Sequence, residues 1–423
     1  MFTKESLRQI DTMPIYQKLY GKDKRAKRRW LSLLEAFSKH FGEPKEFYLF
    51  STPGRTEICG NHTDHNHGCV LAASVNLDSA AVVVPVRENV ITVISAGYAR
   101  PFQVNLSSLE KNDRESGTTV ALIRGIAAKF AEKGYKIGGF QAYIQSDVKR
   151  GSGLSSSASI EVLIGTILHR LYNQSANITP LELAQIGQYA ENEYFGKPCG
   201  LMDQTACAVG GVIAIDFLDT ENPKVEKVSL DMEALGYCIA VVDTGGNHTD
   251  LTDEYAAVTS EMRAIANDFG MDALRGIEMK QILERAGQLR QKYGDRAVLR
   301  AIHFILDNER VKKQTRLIQE GNFDQFLEYV NESGDSSWEY LQNCMSVKNP
   351  SEQGITLGIA ITRQFCKGKK IAVRVHGGGF AGTIQTFLPL EDFEEYRAEM
   401  ESVFGAGCVT KLNIRDIGTL CIE

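Results

Sequence analysis

The chain has 423 residues, which suits two domains of roughly 200 residues each. Hydrophobic residues make up 43% and charged residues 24%, so the composition is that of a globular protein and excludes a disordered or fibrous chain. The net charge of −6 argues against a surface that follows the nucleic-acid backbone, and we expect no nucleic-acid partner.

The N-terminal part predicts helices between Leu7 and His40, with breaks at Pro14 and Gly21. Its basic run KDKRAKRRW, residues 22–30, is typical of the solvated face of a helix. No signal peptide or membrane span is predicted, and nine cysteines without a C-x-x-C pair indicate reduced thiols. We therefore expect a cytoplasmic protein without a membrane partner.

The segments EFYLFSTPGR and GCVLAASVNL predict strands on either side of GNHTDHNHG, residues 60–68, which we call the histidine loop. Three interpretations of this loop are open. It is a metal site, with ligands His62, Asp64, His65 and His67, a polar wall for a sugar, or only a polar turn. The sugar interpretation follows because asparagine, aspartate and histidine side chains hydrogen-bond hydroxyl groups, which both donate and accept.

A helix at TTVALIRGIAAKFAEKG and a strand at IGGFQAYIQS precede the phosphate loop, residues 151–159. Apolar residues recur from Ile160 at steps of three and four, so a buried helix begins near Ser155. Gly151 and Gly153 come just before it. Free N–H groups at the start of a helix attract phosphate, and small residues let the phosphate approach. A serine-rich N-cap after a tight turn is the alternative interpretation of this loop. A Walker A motif is absent, which excludes a P-loop NTPase.

Two acidic residues stand out in the next segments. A helix is predicted at TPLELAQIGQYAENEYFG, with Thr179 as its cap and Pro180 at its first position, and Glu191 lies near its end. Asp203 follows in PCGLMDQTACAVGG, among apolar and small neighbours. A carboxylate in such surroundings is either a satisfied buried acid or a functional one.

The second half predicts a crossing between domains at DFLDTENPKVEKVSL, a strand at GYCIAVVDTGG, and long helices from about Thr252 to Tyr340. Gly377, Gly379 and Gly382 fit G-x-G-x-x-G, but TIQTFLPL after them favours a strand. We expect a strand, a glycine turn at residues 377–382 and a second strand rather than a dinucleotide fold.

Four segments together resemble the galactokinase branch of the GHMP small-molecule kinase family. GRTEICGNHTDHNHG, residues 54–68, is similar to the family signature GR-x-N-x-I-GEHTDYN-x-G. GSGLSSSA, residues 151–158, resembles its phosphate loop GGGLSSSA, and GGGFAG, residues 377–382, resembles GGGFGG. AENEYFGKPCGLMDQ, residues 190–204, resembles A-E-x-x-x-x-G-x-P-C-G-x-MDQ. The motifs occur in the family order across nearly the whole chain.

The resemblance implies an α+β fold of two domains. These are an N-terminal domain like ribosomal protein S5, residues 1–218, and a ferredoxin-like C-terminal domain, residues 219–423. The implied activity is ATP-dependent phosphorylation of the anomeric hydroxyl of a galactose-type sugar, giving the sugar 1-phosphate. ATP and Mg²⁺ are the implied cofactors. We expect a monomer whose partners are the sugar and ATP.

Residue roles follow from the same resemblance. Asp203 would be the catalytic aspartate and Arg55 the cation beside it, while Ser157 and Glu191 would hold Mg²⁺. The expected sugar-binding residues are Asn61, His62, Asp64 and Tyr255. The expected ATP-binding residues of the phosphate loop are Gly151, Gly153, Leu154, Ser155, Ser156, Ser157, Ala158 and Ser159.

The chain departs from the family pattern where sugar specificity is expected. Asn61 replaces the glutamate that contacts the 6-hydroxyl in relatives, Glu57 replaces an asparagine, and His65 replaces a tyrosine. His67 fills a position that the pattern leaves open. Loss of a hydrogen bond from a charged group shifts sugar preference roughly ten- to a hundredfold. Galacturonate, an arabinose or an N-acetylated hexosamine therefore stay open as substrates, and so does a non-catalytic sensor of sugar and ATP.

Overall fold

The computed structural model describes residues 1–21, 23–149, 151–246 and 251–423. Lys22 of the basic run and His248 lie outside them. Helices cover much of the described chain and the strands form two separate sheets, which confirms the α+β class. Among the described residues, no helix combines the length and apolar character needed to cross a membrane.

The strands are β1 (Tyr48–Cys59), β2 (Cys69–Pro85), β3 (Val90–Ser95), β4 (Phe102–Asn105), β5 (Phe140–Ser146), β6 (Val212–Asp216), β7 (Lys224–Val228), β8 (Tyr237–Asp243), β9 (Ala372–His376), β10 (Thr383–Pro389), β11 (Val409–Leu412) and β12 (Leu420–Ile422).

The helices are α1 (Lys4–Leu7), α2 (Pro14–Tyr20), α3 (Lys24–Phe41), α4 (Thr119–Glu132), α5 (Ser156–Tyr172), α6 (Pro180–Tyr189), α7 (Met202–Val209), α8 (Thr252–Asp268), α9 (Met279–Tyr293), α10 (Asp295–Gln319), α11 (Phe323–Ser336), α12 (Gly354–Phe365) and α13 (Phe393–Phe404). Two π-helical turns, Ala190–Phe195 and Ser337–Leu341, extend α6 and α11.

The first sheet has the strand order β12-β1-β2-β5-β3-β4, with β6 added to β2 and β7 added to β6. The long strand β2 pairs with β5 through residues 79–85 and with β6 through residues 69–73. Strand β1 lies along its other edge in antiparallel register. The histidine loop joins β1 to β2, so the first sheet fixes both of its ends.

The second sheet has the order β11-β8-β10-β9, and all of its pairs are antiparallel. The glycine turn joins β9 to β10, which confirms the predicted strand, turn and strand. Strand β7 lies past residue 218 and still pairs with β6, so the chain leaves the first sheet after Val228. The division into domains at residues 218 and 219 stays a prediction.

One apolar cluster connects the two sheets. It combines residues of β1 and β2, such as Ile58 and Leu71, with Ile239 of β8 and Phe387 of β10. Phe326 of α11 completes the contact and is fully buried. Burial of apolar area stabilises the pair of sheets by about 25 cal/mol per Å². The strands that carry the site residues are therefore held in a shared core.

Local chemistry explains the predicted helices near the site. The Thr179 side chain accepts a hydrogen bond from the Glu182 N–H, and Pro180 stands at the first position of α6, as predicted. Helix α5 begins at Ser156, and Ser155 precedes it in a left-handed conformation with φ of 57°. The predicted start of this helix is therefore confirmed.

Candidate active site

Three segments meet at the candidate site: β1, the phosphate loop and the start of α7. The register of β1 against β2 shifts between Pro53 and Arg55, so the ladder is irregular just before Arg55. The Arg55 N–H donates to the Leu154 carbonyl across 3.1 Å. A Cβ on Gly54 would lie 2.9 Å from the same carbonyl oxygen. Glycine at position 54 therefore lets β1 contact the phosphate loop.

Arg55 and Asp203 form a bidentate ion pair at this junction. Arg55 Nε donates to Asp203 Oδ1 across 2.6 Å and Nη2 to Oδ2 across 2.8 Å. Two parallel bonds between a guanidinium and a carboxylate fix both groups in one plane. The Arg55 side chain is 8% exposed and that of Asp203 is 30% exposed, so the carboxylate is the member that reaches solvent.

The charge of Asp203 is set by opposing effects. Burial raises the pKa of Asp203, but the Arg55 guanidinium and the hydrogen bonds from Arg55 and Ser155 outweigh burial and hold the pKa below its ordinary value. The Ser155 hydroxyl donates to Asp203 Oδ2, and Arg55 Nη1 donates to the Gly153 carbonyl. The phosphate loop thus supports an ionised carboxylate.

The residues of the phosphate loop differ in what they offer to a ligand. Gly151 and Gly153 have φ of 77° and 72°. A Cβ on Gly153 would lie 2.7 Å from both His376 Nδ1 and Thr383 Oγ1, so the glycine allows the loop to pack on β9 and β10. Leu154, Ala158 and Ser159 are buried. The Ser159 hydroxyl donates inward to the Thr52 carbonyl. The backbone at the start of α5 and the hydroxyl of Ser156 remain the groups suited to phosphate.

Ser157 and Glu191 lie together, as the magnesium prediction requires. Ser157 Oγ donates to Glu191 Oε1 across 3.1 Å, and Lys197 Nζ lies 3.3 Å from the same oxygen. Magnesium binds in proteins through one or two oxygen ligands together with waters and substrate phosphates. A hydroxyl and a carboxylate beside a helix start fit that donor set.

Gln204 and Glu161 were missed by the sequence reasoning. Gln204 Nε2 donates to Glu191 Oε2 and to Glu161 Oε2, both across 2.9 Å. Burial, with the charge of Glu191, raises the pKa of Glu161 well above its ordinary value. Glu161 Oε1 has no hydrogen-bond partner among the described residues. A signal existed, since a glutamate inside the apolar face of α5 requires a buried partner.

The histidine loop faces Tyr255 and the segment before Asp203. His62 Nε2 donates to the Gly378 carbonyl across 2.9 Å, and its ring centroid lies 6.2 Å from that of Tyr255. Burial lowers the pKa of His62 to about 4, so the ring is neutral at pH 7. A Cβ on Gly200 would overlap the Asp64 carboxylate, so Asp64 packs against Gly200, which precedes Asp203 by three residues in the chain.

Asn61 lies in the same loop, but its side chain is fully hydrogen-bonded to other residues of this chain. Its side-chain amide donates to Glu57 Oε1 across 2.9 Å and to the Gly377 carbonyl across 2.8 Å. Its Oδ1 accepts from Asn343 Nδ2 across 2.7 Å. Asn61 is 1% exposed. The structure therefore uses this side chain to join the histidine loop to the glycine turn, and its role as a sugar ligand stays a prediction.

Glu57 and Arg374 form a buried pair that the sequence reasoning also missed. Arg374 Nη2 donates to Glu57 Oε1 across 2.9 Å, and the Arg374 side chain is fully buried. Burial raises the pKa of Glu57, while the charges of Arg374 and Arg55 oppose that rise. Arginine in the apolar strand AVRVH was the available signal, because a buried charge needs a partner. Glu57 and Asn61 are the two positions where glutamate and asparagine have changed places relative to the family signature.

The metal interpretation of the histidine loop receives no support. Among the described residues, no group of three or more histidine, cysteine, aspartate or glutamate side chains is arranged to hold a metal ion. His62 instead bonds to the glycine turn, and Asp64 Oδ1 accepts from the His65 N–H across 2.9 Å.

Two family models match the chain at the segments that build this site. The model described as "GHMP kinases N terminal domain" matches residues 121–211, which include the phosphate loop, Glu191 and Asp203. The model described as "Galactokinase galactose-binding signature" matches residues 35–85, which include Arg55 and the histidine loop.

Relatives and solved structures agree with these matches. A galactokinase of Actinobacillus pleuropneumoniae serotype 3 (strain JL03) is 31% identical over 366 residues, 86% of this chain and 90% of that protein. A galactokinase of Lactococcus lactis subsp. lactis (strain IL1403) is 29% identical over 387 residues, 88% of this chain and 91% of that protein.

The crystal structure of Lactococcus lactis galactokinase complexed with galactose has a TM-score of 0.79 at 24% identity, covering 92% of this chain and 98% of that chain. A mevalonate kinase structure follows with a TM-score of 0.59 at 16% identity, covering 86% of this chain and 98% of that chain. The fold is therefore that of the GHMP kinases. With a galactokinase 31% identical along most of both sequences, the chain belongs to the galactokinase family.

Proposed function

We propose that this protein transfers the γ-phosphoryl group of ATP to the anomeric hydroxyl of galactose. ATP use follows from membership of the family. The observation that carries the proposal is the Asp203 carboxylate, paired with Arg55 and placed beside the start of α5. A base next to a phosphate-binding helix start is the pair of features that phosphoryl transfer to a hydroxyl requires.

The proposed roles use alignment and charge rather than a covalent intermediate. Asp203 accepts the proton of the anomeric hydroxyl, and its low pKa keeps it ionised before the reaction. Arg55 holds the carboxylate in place and stabilises charge on the transferring group. The N–H groups at the start of α5, behind Gly151 and Gly153, orient the phosphates.

Magnesium is proposed to be held by Ser157 and Glu191. When bound, it would neutralise phosphate charge. Lys197 contacts the same carboxylate and is 64% exposed, so it can approach the phosphates from solvent. Gln204 holds the other oxygen of Glu191 and thereby keeps Oε1 turned toward Ser157.

The sugar is proposed to bind against His62, Asp64 and Tyr255. Asp64 supplies acceptors, and the half-buried Tyr255 ring supplies an apolar face for the C–H groups of the sugar. The Tyr255 hydroxyl donates to the Gly379 carbonyl across 3.0 Å, which fixes the ring. Neutral His62 offers no cation to a sugar carboxylate. The match to the galactose-binding signature and the galactokinase relatives support galactose as the sugar.

A coupled ADP-release assay tests the proposal directly. Mg-ATP is offered with D-galactose, D-galacturonate, L-arabinose, N-acetylgalactosamine and glucose. Galactose is expected to give the highest kcat/KM. A preference for galacturonate would overturn the sugar assignment. The absence of turnover on all five sugars would favour a non-catalytic sensor of sugar and ATP.

Gly200→Ala is expected to raise the galactose KM about tenfold, because the added methyl group displaces the Asp64 carboxylate. The ATP KM is expected to change less than about twofold, since the phosphate loop keeps its contacts. Steady-state kinetics with each substrate varied in turn measure both values.

Gly287→Ala is the matched control for that substitution. Gly287 lies in α9 with no atom within 4 Å of an added Cβ, so both KM values should stay at wild-type level. An unchanged galactose KM in Gly200→Ala would remove Asp64 from the sugar site.

Glu191→Gln is expected to raise the Mg²⁺ concentration for half-maximal activity about tenfold, because a neutral amide is a weaker ligand than a carboxylate. The measurement is a magnesium titration at saturating ATP and galactose, with Mn²⁺ binding by electron paramagnetic resonance as a second readout. Glu193→Gln, on the exposed side of the same π-helical turn, is the control. Equal magnesium dependence in the two variants would contradict the assignment.

We further propose that the protein acts as a cytosolic monomer whose two domains divide near residue 218. All nine cysteines are free thiols, which suits a reducing compartment. Size-exclusion chromatography with light scattering tests the monomer.

A further inference from the structure

Helix α10 reaches the histidine loop with two ionisable side chains one turn apart. His303 and Asp307 are both fully buried. Asp307 Oδ2 accepts from the N–H groups of Gly60 and Asn61 across 3.0 and 3.1 Å. His303 Nε2 lies 2.9 Å from the Asn61 carbonyl oxygen. Helix α10 therefore holds the backbone at the start of the loop through two N–H groups and one carbonyl group.

The direction of the histidine bond follows from its partner. A carbonyl oxygen only accepts, so His303 Nε2 carries the proton. His303 Nδ1 lies 2.9 Å from Ser336 Oγ and accepts from that hydroxyl when the ring is neutral. Burial lowers the pKa of His303, which agrees with a neutral ring. Ser336 of α11 thus fixes the tautomer that holds the loop.

The backbone that α10 holds has positive φ angles, which residues other than glycine rarely adopt. Gly60 has φ of 93°, and a Cβ there would lie 2.5 Å from the Cys69 carbonyl oxygen. His62 has φ of 57°, which is unfavourable for a residue with a side chain. Strained conformations of this kind persist only where the surrounding structure determines them. The contacts from α10 lie immediately before His62.

His303 and Asp307 do not belong to the loop itself. They hold the loop through its backbone at Gly60 and Asn61, and Asp307 also pairs with Arg310 across 3.3 Å. His62 and Asp64 carry the side chains that face Tyr255 and Gly200. A change in α10 is therefore transmitted to the sugar through the loop backbone. The phosphate loop has separate supports, the hydrogen bonds from Arg55 and Ser155.

We propose that His303 and Asp307 are positioning residues for sugar binding, which set the backbone of the histidine loop and thereby the placement of His62 and Asp64. This inference rests on the proposed function. It predicts that their loss weakens binding of the sugar selectively, while binding of Mg-ATP and the phosphoryl-transfer step at saturating sugar are maintained.

His303→Leu tests the inference, because leucine fills the space without a donor. We expect the galactose KM to rise about tenfold, with kcat and the ATP KM within about twofold of wild type. We also expect galactose to lose most of its stabilising shift in the unfolding temperature, while the shift caused by Mg-ATP is retained. His303→Gln should recover most of the galactose KM, because its amide can donate to the Asn61 carbonyl.

Val311→Ala is the matched control on the same helix. Val311 is buried in the cluster between the sheets, so its truncation lowers stability without a hydrogen bond to the loop. An equal rise of the galactose and ATP KM values in His303→Leu and Val311→Ala would overturn the inference. So would an unchanged galactose KM in His303→Leu.

Hydrogen exchange separates this inference from the proposed function. The amides of Gly60 and Asn61 donate to Asp307, so they are expected to exchange faster in Asp307→Leu than in wild type or Val311→Ala, as measured by mass spectrometry of peptides covering residues 58–68. If wild type turns over none of the five sugars, the proposed function fails on that result alone. Unchanged exchange in Asp307→Leu would overturn the positioning role whatever the substrate is.

Discussion

Asp203→Asn is expected to lower kcat by about a hundredfold or more, with both KM values changed only a few-fold. The amide keeps the shape of the side chain and one acceptor, so Arg55 can still bond to position 203. It cannot take the proton of the sugar hydroxyl, since an amide is a negligible base. The coupled ADP-release assay at saturating substrates measures the loss.

A second variant that breaks an ion pair is the control for the stability of Asp203→Asn. Asp268→Asn removes a carboxylate that pairs with Arg285 and Lys292 outside the candidate site. Both variants are expected to unfold a few degrees below wild type, and only Asp203→Asn is expected to lose activity. A rate near wild type in Asp203→Asn would remove Asp203 from the chemistry.

The loss of activity in Asp203→Asn is expected to be independent of pH between pH 5 and pH 8. Burial raises the pKa of Asp203, but Arg55 and the hydrogen bonds hold it below its ordinary value, so the carboxylate is ionised from pH 5 to pH 8. The ratio of wild-type to Asp203→Asn activity should therefore stay constant across this range. The contribution of Asp203 to stability is present above its unfolded pKa of about 3.9 and is lost only as the pH falls through its lower folded value.

The sequence was most informative where chemistry is local. The start of α5 follows from glycines and a serine run before an apolar periodicity, and the strand after Gly382 follows from its β-branched residues. The pairing of Arg55 with Asp203 was expected only because the motifs resemble a known family. Nothing in the spacing of two residues separated by 148 positions predicts a bidentate contact.

The contacts that could not be predicted are those between distant elements. Asn61 was expected to face a sugar, but its amide is satisfied by Glu57, Gly377 and Asn343, the last of which is 282 positions away. His303 is a single histidine in a helix, and its sequence neighbours give no sign that it bonds to the histidine loop. Such pairings depend on how the two sheets pack, which local propensity does not determine.

The exchange between positions 57 and 61 now has a physical explanation. In the family signature the glutamate stands in the loop and the asparagine in the strand, whereas here Glu57 lies in β1 and Asn61 in the loop. The two side chains bond to each other across 2.9 Å. In this chain one carboxylate and one amide occupy this buried space, and Arg374 neutralises the carboxylate at position 57.

Glu57→Asn is accordingly expected to destabilise the protein by about 3 to 5 kcal/mol, because it leaves the buried Arg374 without its partner. Asn61→Glu is expected to be destabilising as well, since it places a second carboxylate within hydrogen-bond distance of Glu57.

The double variant Glu57→Asn/Asn61→Glu keeps one carboxylate and one amide, and should recover stability with a coupling free energy of about 1 to 3 kcal/mol. Urea unfolding of the four proteins measures this cycle. Single effects that add in the double variant would show that the two positions changed independently, and a recovered double variant would show that the histidine loop was altered by a compensated exchange.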